Sequence, residues 1–538
     1  MFKVYRNIVF IIIALAIANV SVYSQQPSIV WSARYNSSTN GDDRAFDMDM
    51  DNAGNLFVTG RDGNPQGVVT IKYNSSGQQQ WINRFSNHLS IVSQPDKIKA
   101  DRFGNVYTMG HDSHGFLIKY DSVGAEKWVA QFAQFNAWYS DIAVSRRGFI
   151  YAAGGTPRSN PYGDILLVKY NPQGDTVWMR TYNLAYRSAG ATSIYVDDSN
   201  YVYITGAITI PTSIDTVQSF CTMKYDSLGV MKWMRSYRSS VPNRDGQAMV
   251  IKGDKRGNVY VTGFMLNTDQ YPDFRTIKYS NDGTQKWINI YSGVAYGGGL
   301  PKDMAVDSIG NVFVSGYSSD SLGIYNYATI KYDTAGVQKW ARRITSLSTS
   351  GSTPSSICLD NSQNCYITGS FLTVKYDSTG TLKWTMENVD PQSPYSYRGV
   401  KIIADKNNNI FVNSGGAGSV GSTLDILTIK YSQTSSIINI GSEYITSYKL
   451  SQNYPNPFNP STKIRFSIVS SPQGLGGDLV QLKVYDVIGR EVQTLVNESL
   501  KPGTYEVTFD GMALTSGVYF YKLQCGDFVQ TNRMVLIK

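Results

Sequence analysis

The fold class predicted for this chain is all-β: a β-propeller of eight blades followed by a small Ig-like β-sandwich. Three observations lead there. A Lys-Tyr pair, a short turn and a Trp return throughout residues 31–431, with the Tyr-to-Trp offset fixed at eight from Tyr73–Trp81 to Tyr376–Trp384. The segments around them, such as VTIKY, NLFVTG and NVYVTG, are short and rich in Val, Ile, Thr, Phe and Tyr, which is strand chemistry. The composition, with 17% charged residues, 48 Gly and 38 Tyr among 538, excludes coiled coil, long-helix and disordered architectures.

The repeat is read element by element. Seven complete copies place Gly four residues after the Tyr, an eighth Lys430-Tyr431 has no following Trp, and Trp31 has no preceding Lys-Tyr. The period is about 50 residues, which signals a solenoid or a propeller. Each copy supplies four strands. The first ends in an Asp turn (Asp51, Asp101, Asp254, Asp307, Asp360, Asp405), the second is of the VYVTG type, the third ends in Lys-Tyr, and the fourth carries the Trp. Asp-x-x-Gly turns such as DSVG and DTAG suit type I hairpins with a bulge, the Gly accepting the positive φ. Because Tyr and Trp flank that Gly symmetrically, the hairpin is expected to set the two rings together. The orphan Trp31 strand is expected to complete the last blade and close the ring, leaving no unpaired edge at the seam. Eight blades follow from the count; seven, with one degenerate copy, is the alternative.

The pattern resembles the bacterial β-propeller repeats named SBBP, from Trp31 to Tyr431. It is also similar to quinoprotein propellers, but their quinone- and calcium-binding residues have no match here, so no cofactor is carried over. The domains are read as 1–24 signal peptide, 25–437 propeller, 438–447 linker and 448–538 sandwich. Lys3 and Arg6 precede the apolar run Ile8–Ala18, and Val22 and Ser24 offer a cleavage site before Gln25. A membrane span would need ~20 apolar residues. With only four Cys, an exported chain of this size has no disulfide framework. Cys358 and Cys365 flank a turn and stay open to two readings, one bridge or two buried thiols.

Beyond the Ser432–Ser447 stretch, Pro455, Pro457 and Pro460 exclude helix and favour an extended entry, and alternating segments such as GTYEVTFD and GVYFYKLQ read as antiparallel strands. This stretch resembles the type A C-terminal sorting domain of the type IX secretion system. The matching pieces are Asn453-Tyr454-Pro455-Asn456-Pro457-Phe458-Asn459-Pro460, Val484-Tyr485-Asp486 with Gly489-Arg490, Gly503-Thr504-Tyr505, Gly517-Val518-Tyr519-Phe520-Tyr521 and Met534–Lys538. A Gly-rich insertion at Ser470–Leu479 departs from the pattern and is expected to lengthen a surface hairpin. The resemblance implies the type IX machinery as partner, a Bacteroidetes-like source, and a product secreted or held at the outer cell surface.

No nucleophile elbow, HExxH or phosphate loop is present, and Gly416–Gly421 matches GxGxxG without a helix to follow it. The chain is therefore read as a non-catalytic binding or adhesion module. The alternative is a polysaccharide-active hydrolase or lyase using Asp164, Asp245, Asp269 and Asp273. His111 and His114 form a polar loop rather than a metal site, and Asp47, Asp49 and Asp51 alternate as strand and turn residues; no metal is assigned. Lysines recur in every copy (Lys72 to Lys430, and Lys127, Lys232, Lys286, Lys339 and Lys383 before the Trp). Their even spread speaks against nucleic-acid binding, and their stems are expected to pack on aromatic rings. Tight turns share one face of the propeller, whereas the long, variable loops share the other. That variable face is the expected ligand site, with Trp138, Tyr139, Tyr162, Arg187, Tyr271, Tyr327, Tyr395 and Tyr397 as candidate contacts for a glycan or a surface protein. The chain is read as a monomer.

Overall fold

The computed structural model describes residues 27–538 apart from 39–40, 64–65, 86–92, 113, 132–136, 157–162, 183–188, 212–215, 240–243, 294–297, 345–350, 389–396, 418–423, 433–437, 442–444, 446, 470–477, 501 and 512–513. The signal segment, most of the Gly416–Gly421 match and most of the Gly-rich insertion lie outside the described residues. Seven four-stranded antiparallel meanders follow one another, spanning 44–85, 94–131, 138–182, 189–237, 246–291, 299–344 and 354–387. They are numbered sheets one to seven. Sheet eight holds three strands from 397–432, and its fourth is Ser28–Tyr35, paired antiparallel with Leu424–Ser432. The architecture is all-β and propeller-like. Among the described residues no helix is long and apolar enough to cross a membrane.

The same local devices build each sheet. The Asp51 carboxylate accepts the amides of Ala53 and Asn55 at 2.9 Å and the Asn55 side chain at 2.7 Å. Asp101, Asp254, Asp360 and Asp405 repeat this cap. Such side-chain capping is the reason Asp recurs there. The first strand then slips register by one residue, between Ala45 and Asp47 in sheet one and at the matching place in every other sheet. This bulge presses the first-strand carbonyl against the glycine of the VTG motif. A Cβ at Gly154 or Gly206 would collide with the carbonyl of Trp138 or Gly190, so only glycine permits the approach.

The sheets are joined by the Lys-Tyr/Trp motif, and here the structure corrects the sequence reading. A second bulge places Trp81 opposite Lys72 rather than Tyr73. The Trp ring instead meets the next sheet: Trp81 and Tyr120 centroids are 5.9 Å apart, and Trp340 and Tyr376 5.8 Å. It lies on the turn glycine of that sheet, where a Cβ on Gly124 would stand 2.6 Å from Trp81. Lys72 Nζ and Trp81 Nε1 both donate to the Ser122 carbonyl, at 2.7 and 3.3 Å. Lys119 and Trp128 do the same to Pro172 at 2.7 and 3.1 Å, and the pattern runs on to Lys331 and Trp340 on Ser378. Lys430 of sheet eight and Trp31 of the N-terminal strand both donate to Ser75 of sheet one, at 3.2 and 3.3 Å. The lysine stems cross aromatic rings on the way, as Lys72 does over Phe57. The turn-flanking lysines pair with the turn carboxylates, Lys127 with Asp121 and Lys232 with Asp226 at 2.7 Å.

The C-terminal region packs two four-stranded sheets around one core that includes Phe458, Ile464, Leu482, Val507, Tyr521 and Leu536. Ile438–Gly441, read from the sequence as linker, is a strand paired with Gly503–Asp510, so this unit begins about ten residues earlier than its motifs suggest. The Pro-rich segment runs along the last strand. Phe458 donates its amide to Val535 O at 2.9 Å and accepts from Ile537 N at 3.0 Å, while Asn456 Oδ1 accepts from Val535 N at 2.9 Å. Buried Asn453 donates to Pro455 O and Thr462 Oγ1, both at 3.0 Å. Gly489 sits at φ +81° in a turn that Arg490 closes onto Asp486 at 2.8 Å. Gly517 opens the strand that carries Tyr519, whose hydroxyl donates to Thr515 O at 2.8 Å.

Candidate functional site

The predicted aromatic contacts divide sharply by exposure. Trp138 and Tyr271 are 41% and 40% exposed, whereas Tyr139, Tyr327 and Tyr397 are 3%, 1% and 2% exposed. The buried three correct the sequence reading. Tyr139 and Tyr170 share a hydrogen bond of 2.6 Å, as do Tyr397 and Tyr431 at 2.8 Å, and Tyr327 donates to the carbonyls of Ser370 and Leu372. Each ring fills the seam between two sheets, and burial pushes the Tyr139 hydroxyl well above the usual tyrosine range. Tyr162, Arg187 and Tyr395 lie outside the described residues.

Trp138 opens the first strand of sheet three. Its six-membered ring lies over Gly155 and Gly163, and Gly190 of sheet four stands beside it. Seven register tryptophans donate their indole N–H to the neighbouring sheet, whereas the Trp138 indole N–H donates to no described residue.

Two of the four carboxylates considered for acid–base work, Asp164, Asp245, Asp269 and Asp273, are engaged in structural contacts. Asp245 accepts the Gln218 amide at 2.7 Å, and Asp273 faces Arg275 at 3.4 Å and the Asn267 amide at 3.3 Å. His111 Nδ1 meets Asp96 at 2.7 Å, and that hydrogen bond raises its pKa above the usual histidine value. Among the described residues no cluster of His, Cys, Asp and Glu could hold a metal ion. All four cysteines are free thiols, so Cys358 and Cys365 form no bridge.

A charged axis was missed by the sequence reading. Four residues before each capping turn, the first strands of sheets one to eight carry Asp47, Lys97, Asp141, Ser193, Val250, Asp303, Ser356 and Lys401. Aligning the copies on the turn residue would have shown this column. Its carboxylates tie each sheet to the next. Asp47 accepts Ile98 N at 3.1 Å, Asp141 accepts Ser193 Oγ at 3.0 Å and Ile194 N at 3.1 Å, and Asp303 accepts Ser356 Oγ at 3.0 Å and Ile357 N at 3.2 Å. Two residues on, Asp49 accepts Ala100 N at 2.9 Å. Asp51, by contrast, caps its own turn, so the three alternating aspartates do not form a common oxygen cluster.

Lys401 of sheet eight reaches Asp303 of sheet six at 3.6 Å, past Ser356 of sheet seven. Burial works to lower the Lys401 pKa, but Asp303, Asp47, Asp49 and Asp141 hold it above the usual lysine range. Asp303 is drawn down reciprocally: burial opposes this, and Lys401 and Lys252 prevail.

Lys401→Met is therefore expected to destabilise the repeat region by about 2 kcal/mol at neutral pH. That lies below the 3–5 kcal/mol of a fully buried broken pair, because the two side chains are 26% and 13% exposed. The Asp303 pKa is depressed in the folded state, so its stabilisation is present above the unfolded carboxylate pKa and is lost as pH falls through the folded one. The penalty of the substitution should shrink on acidification below about pH 4. Urea titrations at pH 7 and pH 3.5 test this, and an equal penalty at both would remove the electrostatic account.

Comparison with known proteins bears on one end of the chain. Residues 452–538 match the family model described as the secretion system C-terminal sorting domain. A search of the curated proteins finds no match. Among solved structures, the chain is similar to apo AztD from Citrobacter koseri at 13% identity and TM-score 0.39, covering 64% of this chain and 86% of that one. It is similar to a protein of unknown function from Bacteroides caccae at 11% identity and TM-score 0.31, covering 51% and 89%. The sorting motifs Asn453 to Pro460, Gly489-Arg490, Gly517 and Tyr519 all fall within the matched residues, and the chain carries a secretion system C-terminal sorting domain, which directs its export by the type IX machinery to the cell surface or the medium.

Proposed function

We propose that residues 28–432 form a closed eight-bladed propeller of the SBBP type, displayed outside the cell as a non-catalytic, monomeric binding module. The N-terminal strand in sheet eight and the latch of Trp31 and Lys430 on Ser75 support the closed ring, because they repeat the contacts that join sheets one to seven in succession.

The observation that carries the binding reading is the contrast between carboxylates and rings. The axial carboxylates, with Asp245 and Asp273, are engaged by backbone amides or cations, whereas Trp138 keeps an exposed ring on a varied face. A glycosidase needs two carboxyl groups facing one another at ~5–10 Å across a substrate. A binding surface needs anchors such as exposed aromatic residues.

The test is an array of glycans and outer-membrane proteins probed with the purified chain, alongside chromatography of polysaccharides incubated with it. Saturable binding without new products is expected. Release of shortened or unsaturated oligosaccharides would replace this reading with a polysaccharide-active enzyme.

A further inference from the structure

We infer that sheets one to three carry, on the variable face, a binding track for an extended pyranose oligosaccharide, with Trp138 as its stacking platform and Arg61 and Gln94 as its polar contacts. This rests on the binding reading above and deepens it.

Seven residues before each capping turn, the eight sheets carry Arg44, Gln94, Trp138, Gly190, Gln247, Leu300, Thr353 and Arg398 in order. Where the repeat imposes a residue, the same type returns in nearly every copy; this column changes chemistry at every step, so the architecture does not dictate it. In sheets one to three the cross-strand partners of the column are Arg61, His111 and Gly155. Planar hydrogen-bonding side chains thus occupy two adjoining sheets, and a tryptophan occupies the third.

Three details point to a ligand. Gly155 leaves room for the Trp138 ring to lie on backbone, since a Cβ there would strike its six-membered ring, and the indole remains 41% exposed. The buried Arg61 Nε has no hydrogen-bond partner among the described residues, and an unmade hydrogen bond on a buried group is costly. Neither the Gln94 side-chain amide nor the Trp138 indole N–H meets a hydrogen-bond partner among the described residues. Nearby charges are balanced: Arg44 pairs with Asp42 at 3.0 Å, and His111 with Asp96 at 2.7 Å.

A sugar fits this chemistry better than a protein. A pyranose presents an apolar C–H face to an aromatic plane and a rim of hydroxyls to planar donors and acceptors. A stable protein interface needs ~1,200–2,000 Å² with an apolar centre, and among the described residues this sector offers one exposed ring. Because the contacts step from sheet to sheet, the ligand that meets them is a chain of several sugars.

The experiment uses the full chain on a printed array of neutral and uronate-containing oligosaccharides of one to six units. Signal is expected on chains of three or more units. Trp138→Ala should reduce it at least tenfold, Arg61→Gln should reduce it severalfold, and Trp138→Phe should retain most of it. Phe103→Ala, an exposed ring at a capping turn, should leave it unchanged, and melting curves establish that each variant is folded. An empty array, or undiminished signal from folded Trp138→Ala, overturns the inference. An empty glycan array beside binding to outer-membrane proteins ends the sugar track while the binding module stands; released sugar products end the binding module itself.

Discussion

Deletion of Ser28–Asn36 is expected to lower the melting transition by on the order of 10 °C and to broaden it. The strand supplies the whole outer edge of sheet eight, pairing from Ser28–Ser432 to Tyr35–Ile426. It also carries Trp31, which rests on Gly77 and donates to Ser75 in sheet one. Tyr35 is buried, its hydroxyl donating to Asp62 at 2.9 Å and accepting from Arg84 at 2.9 and 3.1 Å. Burial pushes that hydroxyl up to about 12. Removing it leaves Asp62 and Arg84, themselves 2.6 Å apart, without their shared partner and bares the Leu424–Ser432 edge to other chains. Calorimetry with a concentration series measures both effects. A single, sharp, unmoved transition would count against the proposed closure of the repeat by the N-terminal strand.

The second large effect concerns localisation. Removing Ile438–Lys538 is expected to abolish surface display or secretion and leave the protein in the periplasm of a host with the type IX machinery. The cut belongs before Ile438, because Ile438–Gly441 pairs with Gly503–Asp510; cutting at Tyr448 would strand an unpaired edge and confuse instability with lost sorting. Residues 452–538 match the sorting family as a block, and the Pro-rich segment is bonded to the last strand at Phe458 and Asn456, so the unit should be lost as a whole. Fractionation and surface proteolysis report the outcome. Undiminished display of the truncated chain would refute the sorting role in this protein.

The strands and capping turns were legible because each is local: an Asp four residues before Asn, or a Gly after a Lys-Tyr, acts within its own hairpin. The partners of those strands were less so. Equal spacing about the turn glycine pointed to a Tyr–Trp pair, but a bulge between Lys72 and Tyr73 turns Trp81 toward the next sheet, and bulges leave no mark in hydrophobic patterning. Tyr139, Tyr327 and Tyr397 read as loop residues because they lie near variable segments, yet register places them in the seams, where an aromatic body buries well and a hydroxyl finds a partner. The axial column stayed hidden for another reason. Charged residues inside strands read as solvent-facing, and only the packing of the sheets reveals that Asp47, Asp303 and Lys401 interact.

One property of the latch reaches beyond stability. From sheet one to sheet seven, the Lys and Trp that make it belong to one copy and the carbonyl that receives them belongs to the next copy in the chain. An added or lost copy would therefore arrive or leave with a donor set and a receiving turn already matched to its neighbours. A gene built this way can gain or lose whole units by duplication or excision without inventing a new interface between sheets.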